Sequence, residues 1–206
     1  MKNVIEPVIR FKEFSRRQMQ AFTWWCHGSP YFNYNGIIAD RSIRAGKTVS
    51  MAISFVLWAM QTYDKQNFAM CGKTVGSFRR NVWNWLKPVL YARGYEVTEF
   101  RTSNTIIIDD GKSVNYFYIF GGRDESSQDL IQGMTLAGLY CDEVALMPES
   151  FVNQATGRCS VPGAKMWFNC NPEGPEHWFY KEWIEKAESR GALRLHFTME
   201  DNPGLP

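Results

Sequence analysis

A chain of 206 residues, 45% hydrophobic and 21% charged, has ordinary globular composition and enough length to bury a substantial core. A net charge of +2 excludes a global basic field of the kind that announces nucleic-acid binding, while leaving room for a local basic surface. Five cysteines without a C-x-x-C pair argue against zinc and a disulfide scaffold and fit a reducing cytosol; the charged N-terminus is no signal peptide, and the longest apolar run, near 51–60, is too short to span a bilayer.

Residues 1–12 read as an extended lead-in. Ser15 is placed to cap a helix through about His27, with Phe14, Gln18, Phe22 and Trp25 near helical spacing. The run "NYNGIIAD" reads as turn residues and then a strand. Residues 48–63 have helical length and are apolar nearly all round, as in a helix buried against a sheet. A second strand is expected at 68–73 and a helix at 75–92. Strands come next at 97–100, 105–108 and 114–120, the last two joined as a hairpin through Asp109-Asp110-Gly111. A short helix at 127–131, a strand at 136–141, a helix at 149–159, a strand at 165–169, a helix at 178–190 and a strand at 193–197 complete the pattern. Alternating strands and helices imply a mainly parallel sheet covered by helices. The polar "TMEDNPGLP" at 198–206 reads as the start of a linker.

Three stretches carry chemistry. The first is "RSIRAGKT", Arg41 through Thr48, at a strand–loop–helix junction where free backbone N–H groups and the helix dipole favour an anion. Arg41, Ser42, Ile43, Ala45 and Gly46 would cradle phosphates, Lys47 would reach the β- and γ-phosphates, and Thr48 would ligate Mg²⁺. The usual pattern has glycine where Arg41 stands, because glycine reaches backbone dihedrals closed to other residues. The second stretch is "LAGLYCDEVALMP". An apolar strand ends in Asp142-Glu143 at the edge where ligands gather in open α/β sheets. There Asp142 can hold Mg²⁺ and Glu143 can orient and deprotonate an attacking water. The second acid favours hydrolysis over phosphoryl transfer to another acceptor. The third is "MWFNCNPEGPEHWF", a strand ending in Asn169-Cys170-Asn171, whose amides are placed to sense a γ-phosphate.

Together these motifs resemble the ATPase half of the large terminase subunit of tailed bacteriophages, over nearly the whole chain. The resemblance implies a P-loop NTPase fold of the additional-strand, catalytic-glutamate type. It implies ATP and Mg²⁺ as cofactors, and a motor that drives double-stranded DNA through a portal protein into a procapsid. The small terminase subunit and a homo-oligomeric ring are the implied partners, in the host cytoplasm during assembly. It further implies a C-terminal nuclease domain, which these 206 residues do not contain, so the chain reads as the ATPase domain alone. Gln18 resembles the glutamine that reads adenine in this family, and Asn169 and Asn171 occupy the place of its coupling motif.

One departure concerns the arginine that relatives contribute to a neighbouring subunit. Gln132 stands where many of them have it, so the role must fall elsewhere. Arg44 and Arg158 are preferred to Arg123. Six tryptophans on expected helices (Trp24, Trp25, Trp83, Trp85, Trp178, Trp183) point to packing more than to base stacking. Arg79, Arg80 and Lys87 could face phosphates or simply water. Two other functional readings stay open: a helicase-like DNA-dependent ATPase, and a scaffold that keeps the fold but binds nucleotide poorly because of Arg41.

Overall fold

The structure is a computed structural model that describes residues 13–41, 45–123, 125–172 and 174–202. Its framework is one eight-stranded sheet in the order β3-β4-β5-β2-β6-β7-β1-β8. The strands are β1 (Gly36–Asp40), β2 (Asn67–Gly72), β3 (Glu96–Phe100), β4 (Thr105–Asp109), β5 (Val114–Gly121), β6 (Gly138–Cys141), β7 (Lys165–Asn169) and β8 (Ala192–His196). From β5 to β8 every pairing is parallel, whereas β3 and β4 add an antiparallel flap at one edge. The apolar runs of β1, β2 and β6 are buried on both faces, as helix-covered parallel strands must be. The expected 109–111 hairpin is present. Asp109 and Asp110 side chains accept the N–H groups of Gly111, Lys112 and Ser113, so the turn's own acids satisfy its backbone.

Helix α1 (Arg16–Thr23) starts with a capping box, in which Ser15 Oγ accepts the Gln18 N–H and Gln18 Oε1 accepts the Ser15 N–H. It stops short of His27. The Thr23 hydroxyl bonds the Met19 carbonyl, and the chain continues in turns toward Gly28. Helix α2 (Lys47–Thr62) is buried nearly all round, as its composition demands. Phe55 at its centre meets the rings of Trp58, Phe68, Phe117, Tyr140 and Trp167, so one face of the sheet is sealed by aromatic packing. Ser54, a buried polar residue in this helix, accepts the indole N–H of both Trp25 and Trp167 and donates to the Ala21 carbonyl. The tryptophans of the sequence are thus mostly core: Trp24, Trp25, Trp83 and Trp183 are buried, and Trp85 and Trp178 half-buried.

The expected helix over 75–92 is built as α3 (Val75–Phe78), a π-helical turn (Arg79–Trp83) and α4 (Asn84–Ala92). Pro88, inside α4, has no N–H for the helix ladder. Arg79 and Lys87 converge on the nearly buried Glu99 of β3, so both serve the flap in this structure. Burial raises the Glu99 carboxyl, but hydrogen bonds from Lys87 and Arg79 outweigh it and hold the pKa below the usual range. Arg80 is exposed.

The opposite sheet face is covered by α5 (Glu125–Gln132), α6 (Glu149–Gly157) and a helical stretch at 178–184. The continuous helix expected over 178–190 is not formed. After the π-helical turn Tyr180–Ile184 the chain runs in turns to Gly191, where Arg190 bonds the Glu182 carbonyl and stacks on Trp183. The expected strand at 136–141 is shorter, because Leu136 forms an isolated bridge with Cys159. Residues 199–201 make a 3-10 turn. The five cysteines are free thiols. Among the described residues no helix is long and apolar enough to cross a membrane.

At Gly138 the sheet and α2 approach too closely for a side chain. A Cβ there would lie 2.5 Å from Trp58 Cζ3 and 3.1 Å from Phe68 Cδ1. Gly138→Ala is therefore expected to lose about 1–3 kcal/mol of stability to overpacking, measurable as a lower urea midpoint at unchanged m-value.

Candidate active site

In a parallel sheet all strands end at the same edge, and the order β6-β7-β1 decides what meets there. β1 delivers the loop that enters α2, β6 delivers Asp142-Glu143, and β7, between them, delivers Asn169-Cys170-Asn171. The Asn169 amide donates to Thr48 Oγ1 at 2.8 Å and to Asp142 Oδ1 at 2.7 Å. Thr48 Oγ1 itself donates to Asp142 Oδ1 at 3.2 Å. A fourth member, Tyr140, donates its hydroxyl to the same oxygen at 3.0 Å. Sequence reading missed Tyr140, although Tyr140 and Asp142 are two apart on a strand and so share a face.

Asp142 is buried, and burial pushes its carboxyl above the usual range. The hydrogen bonds from Asn169, Tyr140 and Thr48 pull the other way, while neighbouring Glu143 pushes further up. Burial and the Asp142 charge drive the Tyr140 hydroxyl well above its ordinary pKa, so it remains a donor. Glu143 sits in the left-handed region, φ 55° and ψ 48°. That conformation costs an L-residue about 1–2 kcal/mol. It starts the 3-10 turn Val144–Leu146 and leaves the Glu143 side chain half-buried at the strand end.

Lys47 opens α2 and is buried. Its Nζ donates to the Arg41 carbonyl and, at 2.8 Å, to Asn171 Oδ1. Burial lowers its pKa, and the negative charges of Asp40, Asp142 and Glu143 resist that. Gly46 caps α2 at φ 76°. The side of Gly46 where a Cβ would project is filled by Gln18, whose Nε2 would be 2.3 Å from it. Gln18 Nε2 also reaches the Ala45 carbonyl at 3.5 Å. The Gln18 amide thus ties the start of α1 to the end of the loop.

Arg41, the residue in the glycine position, adopts φ 63°. The loop needs the left-handed conformation there and imposes it on arginine. Ser42, Ile43 and Arg44 lie outside the described residues. Arg123 stands at the same sheet edge as Glu143: its N–H bonds the Lys73 carbonyl, and its Nε donates to the Leu146 carbonyl at 3.3 Å. Arg158 does not share that edge. Its carbonyl accepts the Leu136 N–H, ahead of the start of β6, so a strand length separates it from Asp142. Gln132 ends α5. A cavity of about 700 Å³ lined by Trp25, His27, Phe32, Trp58 and Lys165 opens at the far edge and contains none of the motif residues.

Residues 39–205 match the family described as terminase large subunit, T4likevirus-type, N-terminal. The chain belongs to that family. Among solved structures, the large terminase of the thermophilic bacteriophage D6E is 58% identical with a TM-score of 0.93, over 95% of this chain and 48% of that one. The same protein in complex with ATP-gamma-S gives 55% identity and a TM-score of 0.89, over 94% and 47%. The ATPase domain of the Thermus phage P74-26 large terminase, at 15% identity and a TM-score of 0.61 over 80% and 76% of the two chains, shares the fold. No curated protein matches. The chain spans about half the length of the D6E terminase. For this terminase region the sheet order is itself a fold signature: one strand, β7, separates the loop-bearing strand from the acid-bearing strand. It is a P-loop NTPase fold with an additional strand.

Strain at Arg41 has a measurable consequence. Glycine would recover about 1–2 kcal/mol of left-handed strain and lose about 0.4–1 kcal/mol to a freer unfolded chain. Arg41→Gly is expected to raise the urea midpoint slightly, by the equivalent of about 0.5 kcal/mol.

Proposed function

We propose that this terminase region binds ATP at loop 41–48 and hydrolyses it, powering the movement of double-stranded DNA into a procapsid. The observation that carries the reading is the hydrogen-bonded group Thr48–Asn169–Asp142 at the strand ends, with Lys47 and Glu143 beside it. A relative over half identical to this chain has been solved with ATP-gamma-S, which supports the choice of nucleotide.

The chemistry arises from the groups at the edge. Lys47 exchanges its seat on Asn171 for the β- and γ-phosphates, and the backbone N–H groups at the start of α2 face the same charge. Glu143 orients a water and accepts its proton as the water oxygen bonds to the γ-phosphorus and the bond to the ADP oxygen breaks. The Thr48 hydroxyl and Asp142 carboxylate are hard oxygen donors 3.2 Å apart, a set that suits Mg²⁺ completed by water and phosphate oxygens. When bound, that ion would neutralise phosphate charge and relieve the cost of burying Asp142. Asn171, released from Lys47, passes the change into the loop that leads to 178–184. Gln18 and the Asn169 amide complete the nucleotide surroundings.

The remaining parts of the reading are a ring of subunits, a portal protein and small terminase subunit as partners, and work in the host cytoplasm. Of the two described arginine candidates for a neighbour's site, Arg123 is the better placed, because it stands at the reactive edge. Stimulation of turnover by portal-bearing procapsids would separate packaging from a helicase-like activity, which would instead separate strands.

Steady-state ATP turnover tests the core of the proposal. Glu143→Gln and Lys47→Ala are each expected to lower turnover by at least about 100-fold. Activity equal to the unmodified chain in both variants would overturn it.

A further inference from the structure

Asp40, the last residue of β1, lies outside the three motifs and is wholly buried. Arg194 donates to its Oδ2 through Nε at 2.9 Å and Nη2 at 2.7 Å. His196 Nδ1 lies 3.1 Å from its Oδ1. The main chain is tied as well, since the Asp40 carbonyl accepts the Phe197 N–H at 3.0 Å. All three partners come from β8 or the residue after it. A carboxylate taken fully out of water is costly unless it is paired and hydrogen-bonded, and here the pairing is supplied by one neighbouring strand.

This anchor sits directly before the phosphate loop. The next residue, Arg41, is the strained left-handed one, and its carbonyl accepts from Lys47 Nζ. Strand β8 also reaches the other end of the loop. Beyond β8 the turn Met199–Asp201 packs on α1, and Asn202 Cγ lies 4.0 Å from where a Cβ on Gly46 would be. Strand β8 and its exit therefore border both ends of the phosphate loop.

We propose that Asp40, gripped by Arg194 and His196, is a positioning residue that fixes the start of the phosphate loop, at Arg41, before nucleotide arrives. The inference rests on the ATP reading under "Proposed function". Preorganisation of this kind acts on binding: a loop that must first be ordered by its ligand binds that ligand more weakly. Once the phosphates have ordered the loop, the chemical step is little changed, so the effect falls on KM and not on kcat. The His196→Ala variant is diagnostic, because it loosens the grip on Asp40 while keeping the carboxylate charge that sustains the Lys47 ammonium.

The test compares the unmodified chain, Asp40→Asn and His196→Ala by calorimetric titration with Mg·ATP-gamma-S and by steady-state ATP turnover. Asp40→Asn is expected to weaken binding and raise KM about tenfold with kcat within about threefold. His196→Ala, which leaves Arg194 in place, should shift KM the same way by about threefold. Unchanged or tighter binding by a folded Asp40→Asn, even with a lower Tm, would overturn the proposal by reducing Asp40 to a stabilising ion pair. If Asp40→Asn fails to fold, an unchanged KM in His196→Ala overturns it. Absence of binding by the unmodified chain would instead remove the ATP reading, and this inference with it.

Discussion

The Asn169 side-chain amide joins two elements nearly a hundred residues apart in sequence. Its two bonds, to the Thr48 hydroxyl and the Asp142 carboxylate, are possible because β7 lies between the strands that carry those residues. Everything else at the edge depends on that spacing. Without β7 in the middle, the loop and the acids would sit on adjacent strands, and no amide would stand between them. The burial that encloses these bonds also makes Asp142 harder to ionise. Three donors, from Asn169, Thr48 and Tyr140, meet on its Oδ1 and offset part of that cost.

Lys47 is held in a related way. In this structure its partners include the Arg41 carbonyl and Asn171 Oδ1, both at the C-terminal edge of the parallel strands. Burial works against its charge, and three nearby carboxylates sustain it. A phosphate would offer a charged acceptor in place of these neutral ones. Strained backbone frames the exchange at two points: Arg41 begins the loop and Glu143 begins the turn after β6, both at positive φ. Non-glycine residues keep such conformations only where the surroundings over-determine them. At Arg41 the surroundings include the Asp40–Arg194–His196 cluster directly before it.

Much of the site was legible in linear order. The GKT end of the loop, the apolar run closing in Asp142-Glu143 and the Asn-Cys-Asn turn each declare a strand or helix terminus through local chemistry. The strands and α2 were legible for the same reason, since runs of 4–8 apolar residues and an all-round apolar helix have few other solutions. Helix lengths were less so. The 178–190 segment has helical composition, yet Arg190 turns back onto Trp183 and the Glu182 carbonyl, and tertiary contact overrides propensity. The arginine candidates were the least legible. Arg158 comes soon after the acids in sequence but lies at the far edge of the sheet, because α6 runs back across it, while Arg123 returns along β5 to the edge that carries Asp142 and Glu143.

The sequence by itself determined the class of fold, the loop, the two acids and the amide turn, because each depends on residues within about ten positions of one another. It also determined that position 41 would be unusual. Only the tertiary structure decided that Arg41 takes up glycine's conformation, that Tyr140 completes the acid's hydrogen bonds and that Gln18 fills the space beside Gly46. It alone decided that Asp40 is held by β8. These are contacts between strands and helices distant in the chain, created by sheet order, and a linear pattern carries no record of which strand lies beside which.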